Sequence, residues 1–259
     1  MRENALARKL RAGDVCLGVF LMTPDAFVAE AVGAAGFDWA IIDMEHGPVS
    51  LEAAATMVTA LRTTAASPIV RVAWNEASQI QRALDLGCAG ILVPVVNDGA
   101  DARKVVSDAK FPPLGERSRG AQRPNLAFGT DPMTYFDRAN AETLAIVQIE
   151  TVRAVGRVEE ICATPGVDGV FVGPNDLAAS TLQRWPDVWE RDAAYMERIE
   201  HVARVAKEAG KFAGFLARDA AMARRVVDLG YTFVGIGSDI GYIMSTAAAS
   251  LRAAREAMP

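Results

Sequence analysis

Histidine and cysteine are the scarce residues of this chain. Two histidines, His46 and His201, and three cysteines, Cys16, Cys88 and Cys162, are all that its 259 residues contain. The cysteines are odd in number, lie far apart and show no C-x-x-C spacing, which excludes a disulfide framework and a zinc site with several soft ligands. Such usage suits a reducing compartment, and a cytoplasmic location is expected. Positive charge is not in excess: 27 Lys and Arg against 32 Asp and Glu leave a net charge of −5, so nucleic acid and an anionic membrane surface are poor partners. No apolar run approaches the roughly 18 residues that span a bilayer. Arg2, Lys9 and Arg11 followed by the apolar stretch 15–22 imitate a signal peptide. That stretch is short, Asp14 interrupts its approach and no small-residue cleavage site follows, so it reads as a first strand.

What is present is apolar residue, 51% of the chain with 23% charged, the profile of a globular protein with a large core. Short β-branched runs alternate with longer Ala-rich amphipathic segments, the βαβα signature of a parallel sheet. Strands are predicted at 16–20, 39–43, 69–72, 90–94, 144–148, 169–172, 212–216 and 233–236. Runs such as GILVPVV and GVFVG suit strands buried on both faces. Helices are predicted at 51–62, 78–86, 151–162, 191–209 and 220–229, with Gly87, Gly210 and Gly230 as C-terminal caps. Eight such units in about 250 residues predict a (β/α)8 TIM barrel forming a single domain over 1–259. A doubly wound sheet is disfavoured because no G-x-G-x-x-G follows the first strand. Two spacers are long. Residues 98–143 hold FPPLGERSRGAQRP, expected to lie over the barrel mouth, and 175–190 hold STLQRWPDVW. A last Ala-rich helix, 240–258, packs on its own barrel or on a neighbour.

In such a barrel, chemistry sits at the C-terminal ends of the strands. Polar residues gather there: Asp43, Glu45 and His46 after strand two, Arg71 ending strand three, Gln148 and Glu150 on strand five, and Gly173-Pro174-Asn175-Asp176 after strand six. Glu150 and Asp176, on neighbouring strands, make a hard oxygen site for Mg2+ or Mn2+, or else each caps a helix. Asp43 and His46, three apart on a turn, read as a carboxylate orienting an imidazole, a base tunable near neutral pH. His201, on a polar helix, reads as a structural hydrogen-bonder. Arg71 is either an ion-pair partner or a binder of an incoming oxyanion. A Schiff-base route needs a desolvated lysine at a strand's C-terminal end. Lys9, Lys104 and Lys207 read as helix-surface residues, Lys110 as a loop residue, and Lys211 precedes its strand. No cysteine sits where a nucleophile would.

The segments WAIIDMEHGPVS, PIVRVAWNEASQIQRALDLGCAGILVPVV, FPPLGERSRG, IVQIET and GVDGVFVGPNDLAAS, in this order over nearly the whole chain, together resemble the HpcH/HpaI aldolase family of class II pyruvate aldolases. The resemblance implies a metal-dependent carbon–carbon lyase that cleaves 4-hydroxy-2-oxo acids to pyruvate, or hydroxypyruvate, and an aldehyde. It implies Glu150 and Asp176 as ligands of Mg2+, Mn2+ or Co2+, His46 with Asp43 as an acid–base dyad, and Arg71 as the holder of the enolate oxygen. Gln148 would lie beside the metal shell, while Gly173, Pro174 and Asn175 would hold the substrate carboxylate at a helix N-terminus, with Leu216 also in the substrate-binding set. Relatives often carry Ala where this chain has Asn175. Asp85 would reach a neighbouring subunit's site in a homo-oligomer, a hexamer built as a trimer of dimers that exchange C-terminal helices; the alternative is a helix-surface acid. Arg117 or Arg119 would approach the mouth. Other readings are an acyl-CoA lyase of the citrate-lyase β-like branch, whose members tend to carry a second acid where this chain has His46, a decarboxylating or cyclising relative, and a non-catalytic barrel that binds 2-oxo acids. The intact set Asp43, His46, Arg71, Glu150 and Asp176 disfavours the last.

Overall fold

The computed structural model describes residues 1–182 and 192–258. Eight parallel strands, β1 (Cys16–Leu21), β2 (Trp39–Asp43), β3 (Ser67–Arg71), β4 (Gly90–Val93), β5 (Leu144–Ile149), β6 (Gly169–Val172), β7 (Phe212–Leu216) and β8 (Phe233–Ser238), pair in chain order, and β8 returns to β1 to close a barrel. The helices are α1 (Ala5–Ala12), α2 (Ala26–Gly33), α3 (Leu51–Leu61), α4 (Ala77–Asp85), α5 (Gly99–Ala109), α6 (Arg123–Phe128), α7 (Pro132–Glu142), α8 (Val152–Val155), α9 (Val158–Cys162), α10 (Pro174–Leu182), α11 (Ala193–Glu208), α12 (Ala220–Asp228) and α13 (Asp239–Glu256). The predicted TIM barrel is the observed fold. The helix expected over 151–162 is two short ones, α8 and α9, broken at Gly156, where helix propensity is low. Of the stretch STLQRWPDVW, residues 183–189 lie outside the described residues, as does the expected start of a helix at 191.

Alternation along the strands builds two cores. Val19, Ala40, Ile42, Val70, Ile91, Val147, Val170 and Val234 point outward and pack under helix residues such as Met57, Ile80, Val105 and Ile199. The intervening Phe20, Trp39, Ile41, Ile69, Leu92, Ile146, Phe171 and Phe233 fill the barrel, each burial contributing about 1.5–3 kcal/mol. Large rings fit inside because small residues face them: Trp39 occupies the space a Cβ of Gly18 would need and stacks on Phe233 at 4.0 Å between centroids. The lower end is plugged by α1, whose Leu6, Ala7 and Leu10 join this inner cluster. Asn4 fixes the plug, capping the Ala7 N–H and donating from Nδ2 to Ala89 O at 2.8 Å and Glu142 O at 2.9 Å.

The Pro/Gly/Arg-rich loop is not over the mouth. After β4, α5 descends antiparallel to the strands, so residues 110–143 serve the opposite end. Lys110 there is a loop residue as expected, but a buried one, with Nζ donating to Thr143 O at 2.6 Å, Asn140 O at 3.1 Å and Asp168 Oδ2 at 2.9 Å. Arg117 lies with its guanidinium 4.6 Å over the Phe111 ring and ion-pairs with Asp85 at the end of α4. Arg119 sits against Phe136 and Met133. Neither arginine approaches this chain's own mouth. Among the described residues, no helix is long and apolar enough to cross a membrane.

Candidate active site

The inward register that buries Trp39 and Ile41 places Asp43 at the top of the barrel. On β3 it carries Ile69 to Arg71, and on β5 Leu144 and Ile146 to Gln148, with Glu150 following. Asp43 and Arg71 are register partners, joined at 2.8 Å (Nε to Oδ1) and 2.6 Å (Nη2 to Oδ2). Arg71 Nη1 lies 2.9 Å from Glu45 Oε2, and the guanidinium carbon is 5.2 Å from the Phe20 ring centre. Three of its nitrogens thus face carboxylates, and its remaining N–H groups are the donors left for an oxyanion.

The expected Asp43–His46 dyad is not formed as a side-chain pair. Asp43 Oδ1 accepts from the backbone N–H of Glu45 (3.1 Å) and of His46 (3.2 Å), so this carboxylate shapes the turn while it holds Arg71. Gly47 permits the turn: a Cβ there would lie 2.5 Å from Asp43 O. The His46 ring, 59% exposed, has Nε2 3.9 Å from Glu45 Oε2. Glu45, which has no assigned role in the sequence analysis, is therefore the carboxylate beside both His46 and Arg71. Burial pushes its carboxyl up to about 7, the charges of Glu150, Asp43 and Asp176 add to this, and Arg71 opposes it.

Glu150 is buried and held from two sides. Val95 donates its N–H to Oε1 at 2.6 Å, and the Gln148 amide donates to Oε2. Val95 reaches this position with φ of 55°, the left-handed region that β-branched residues avoid. Its strain belongs to the site rather than to the barrel. Burial first, then the neighbouring Asp176 charge, raises the Glu150 carboxyl above the ordinary carboxylate range. Asp176 is exposed on the first turn of α10, where the helix dipole favours an acid.

The geometry alters the reading of Gly173. Its N–H donates to Ile149 O at 3.1 Å and is not available to a substrate carboxylate, Pro174 has none, and the N–H groups at the start of α10 are those of Asn175 and Asp176. What Gly173 supplies is space, since a Cβ would stand 2.7 Å from Glu150 Oε2 and 3.0 Å from Gln148 Nε2. Leu216 ends β7 half-buried and packs on the inner apolar cluster. Asp85 is away from this mouth, 2.8 Å from Arg117.

The donor set fits a hard divalent cation. Among the described residues, the charges of Glu150, Asp43 and Asp176 act on Glu45 and that of Asp176 acts on Glu150, with Arg71 opposing both, an excess of negative charge that a cation would offset. Gln148 Oε1 is buried with no hydrogen-bond partner among the described residues, an acceptor without a donor beside the Glu150 carboxylate. No group of three or more His, Cys, Asp or Glu suited to a metal occurs among the described residues, so most of the coordination shell would be water or substrate, as Mg2+ and Mn2+ accept and structural zinc does not. Covalent routes find no support. Burial pushes the Cys16 thiol up to about 11 and those of Cys88 and Cys162 to about 12, and the one desolvated lysine described above, Lys110, is at the wrong end of the barrel. His201 is structural as expected, 2.9 Å from an Arg204 nitrogen and 3.4 Å from Glu159.

A hydroxypyruvate/pyruvate aldolase of Cupriavidus necator is 38% identical over 258 residues, 99% of this chain and 94% of that protein. A 5-keto-4-deoxy-D-glucarate aldolase of Salmonella gallinarum is 38% identical over 242 residues, 92% of this chain and 91% of its own. Among solved structures, an HpcH/HpaI aldolase/citrate lyase family protein of Burkholderia cenocepacia superposes with a TM-score of 0.89 at 33% identity, covering 97% of this chain and 99% of that one. The family model for HpcH/HpaI aldolase/citrate lyase matches residues 17–246, and the chain belongs to that family.

Proposed function

We propose that this chain is a divalent-metal-dependent aldolase that reversibly cleaves 4-hydroxy-2-oxo acids to pyruvate, or hydroxypyruvate, and an aldehyde. The observation that carries the reading is the buried Glu150 carboxylate, held by Val95 and Gln148 beside Asp176, with Arg71 braced in the same mouth. The 38% identity to the two aldolases supports it. Glu150 and Asp176 are the residues that would hold Mg2+, Mn2+ or Co2+, which when bound supplies a Lewis acid for the 2-oxo group. Arg71 holds the oxygen on which negative charge develops as the C3–C4 bond breaks and its electron pair becomes an enolate. Asp43 and Glu45 fix the guanidinium so that it need not reorganise during the reaction. The aldehyde leaves as the C4 hydroxyl gives up its proton, and C3 takes one up; the exposed His46 ring carries the proton at a ring nitrogen. Gln148 Oε1 accepts from substrate or water, the Asn175 and Asp176 N–H groups meet the substrate carboxylate, and Leu216 supplies an apolar wall.

The same reading includes a homo-oligomer. Helix α13 exposes Ile240, Tyr242, Ile243, Met244 and Leu251, more apolar surface than a terminal helix left in water carries. Exchange of this helix between subunits, in a trimer of dimers, would cover it and bring Asp85 towards a neighbour's mouth. The three cysteines, all free and buried, suit a cytoplasmic protein. The test is direct: chelator-stripped protein is mixed with pyruvate or hydroxypyruvate and a panel of aldehydes, with Mg2+, Mn2+ or Co2+ restored, and products are read by NMR. New carbon–carbon bonds that need the metal are expected; binding of the oxo acid with no bond formation would leave an idle barrel.

A further inference from the structure

A cavity of about 220 Å3 opens at the lower end of the barrel, away from the mouth. It lies where Ser67 and Pro68 begin β3 and Ala89 leads into β4, and Arg2, Glu3 and Arg62 also line it. Arg62 follows the last turn of α3 and is half-buried. Arg123, at the start of α6, approaches from the side, donating to Ala55 O at 2.7 Å, to Thr59 Oγ1 and to Leu86 O at 2.9 Å. Arg2 lies against Gly129 at the other end of α6, where a Cβ would stand 3.3 Å from the arginine Nε.

These guanidiniums lack a counter-charge. Among the described residues, no carboxylate lies within ion-pair distance of Arg2, Arg62 or Arg123, and the Arg62 guanidinium meets no acceptor. Burial first, then the charges of Arg2 and Arg123, push Arg62 below its ordinary value, as cations gathered without a partner do. Two helix ends reach the cavity, the positive end of α1 at Ala5 and the negative end of α3 at Arg62. Each carries about half a unit charge, so they offset one another. Glu3 lines the cavity from an exposed position. Three guanidiniums less this one carboxylate leave two positive charges.

We propose that this cavity is a binding site for a doubly charged oxyanion, a phosphate group, gripped by Arg62 and Arg2 with Arg123 adding its field. The guanidinium fork matches phosphate oxygens in pairs, and two forks can share one phosphate. The cavity is smaller than the roughly 300–1,000 Å3 of pockets for larger organic ligands, which suits a small anion. Inorganic phosphate and the phosphate of a small ester offer the same chemistry.

The test is calorimetric titration of metal-free protein with inorganic phosphate and with glycerol phosphate. It is run at about pH 7.5, where the second phosphate proton is largely lost, with chloride holding the ionic strength constant. Affinity is expected to fall about 10- to 100-fold in Arg62→Gln, as loss of a charge-assisted hydrogen bond implies. In Arg71→Lys, altered at the opposite end of the barrel, it is expected to stay within about twofold of wild type, because distant sites act independently. Glu3→Gln is expected to tighten binding about two- to fivefold by removing the opposing charge. Whichever anion binds more tightly distinguishes the free ion from an ester as the occupant. In thermal melts, phosphate should raise the wild-type midpoint above that in chloride, and Arg62→Gln should lose the rise. If Arg62→Gln does not fold, Arg2→Gln, on the exposed N-terminal segment, carries the same comparisons. Phosphate affinity unchanged by the arginine substitution, or lost in Arg71→Lys instead, would overturn the proposal. So would a wild-type midpoint that phosphate shifts no further than chloride does.

Discussion

Arg71 grips Asp43 with two parallel contacts, Nε to Oδ1 at 2.8 Å and Nη2 to Oδ2 at 2.6 Å, between register partners of adjacent strands, and Asp43 has no exposed surface. Removing one member of such a pair strands the other charge. Arg71→Met is expected to lower stability by about 3–5 kcal/mol, read by urea unfolding. Arg71→Lys keeps a cation but not the fork, so the fold survives while kcat falls by about 100-fold or more.

Gly173 leaves room for Glu150. A Cβ placed 2.7 Å from Glu150 Oε2 forces the carboxylate to shift, and Gly173→Ala is expected to weaken Mn2+ binding by about tenfold or more, as other disturbances of a ligand's support do. Calorimetric titration of the variant, with its circular dichroism unchanged, checks this.

Stability of the metal-free protein is expected to fall as pH rises. Glu45 has its carboxyl pushed up to about 7 and Glu150 is also raised, both mainly by burial. Between the ordinary carboxylate range and about pH 7, the folded chain therefore binds more protons than the unfolded one, and unfolding free energy drops across that window. The contribution is complete at lower pH and lost above about 7. Thermal melts in chelator at pH 5 to 8 should show a falling midpoint, flatter in Glu45→Gln; a midpoint that is level or rises would count against the burial of these acids.

Asn4 ties the α1 plug to β4 and to the end of α7. Asn4→Ala loses the cap on Ala7 and the amide donor to Glu142 O and to Ala89 O, the latter keeping the Leu144 N–H, with an expected cost of about 1–3 kcal/mol, measured by denaturant unfolding.

The barrel and its upper layer were legible because two-residue alternation is a local property. The spacing that buries Trp39 and Ile41, or Leu144 and Ile146, also dictates where Asp43 and Gln148 point. Helix α1 was hidden because Arg2, Lys9 and Arg11 give the segment the look of a leader, while Leu6, Ala7 and Leu10 form its buried stripe. The loop with Arg117 was misplaced because a long spacer does not say which end of the barrel it serves; that follows only once α5 is known to descend through it. Glu45 lies beyond the last residue of β2, where alternation ends and the turn decides direction. Nothing in a Val codon's neighbourhood announces the left-handed Val95, whose conformation is set by the tertiary contact with Glu150.

The most direct measurement is a Mn2+ titration of chelator-stripped protein followed by electron paramagnetic resonance, for wild type, Glu150→Gln and Asp176→Asn. One tightly bound ion per chain in the wild type, with affinity about 100-fold weaker in either variant, is the expected result. Asp176 is exposed, so its variant should remain folded and interpretable. Wild-type affinity in Asp176→Asn, or no specific ion in the native protein, would contradict a metal held by these two acids.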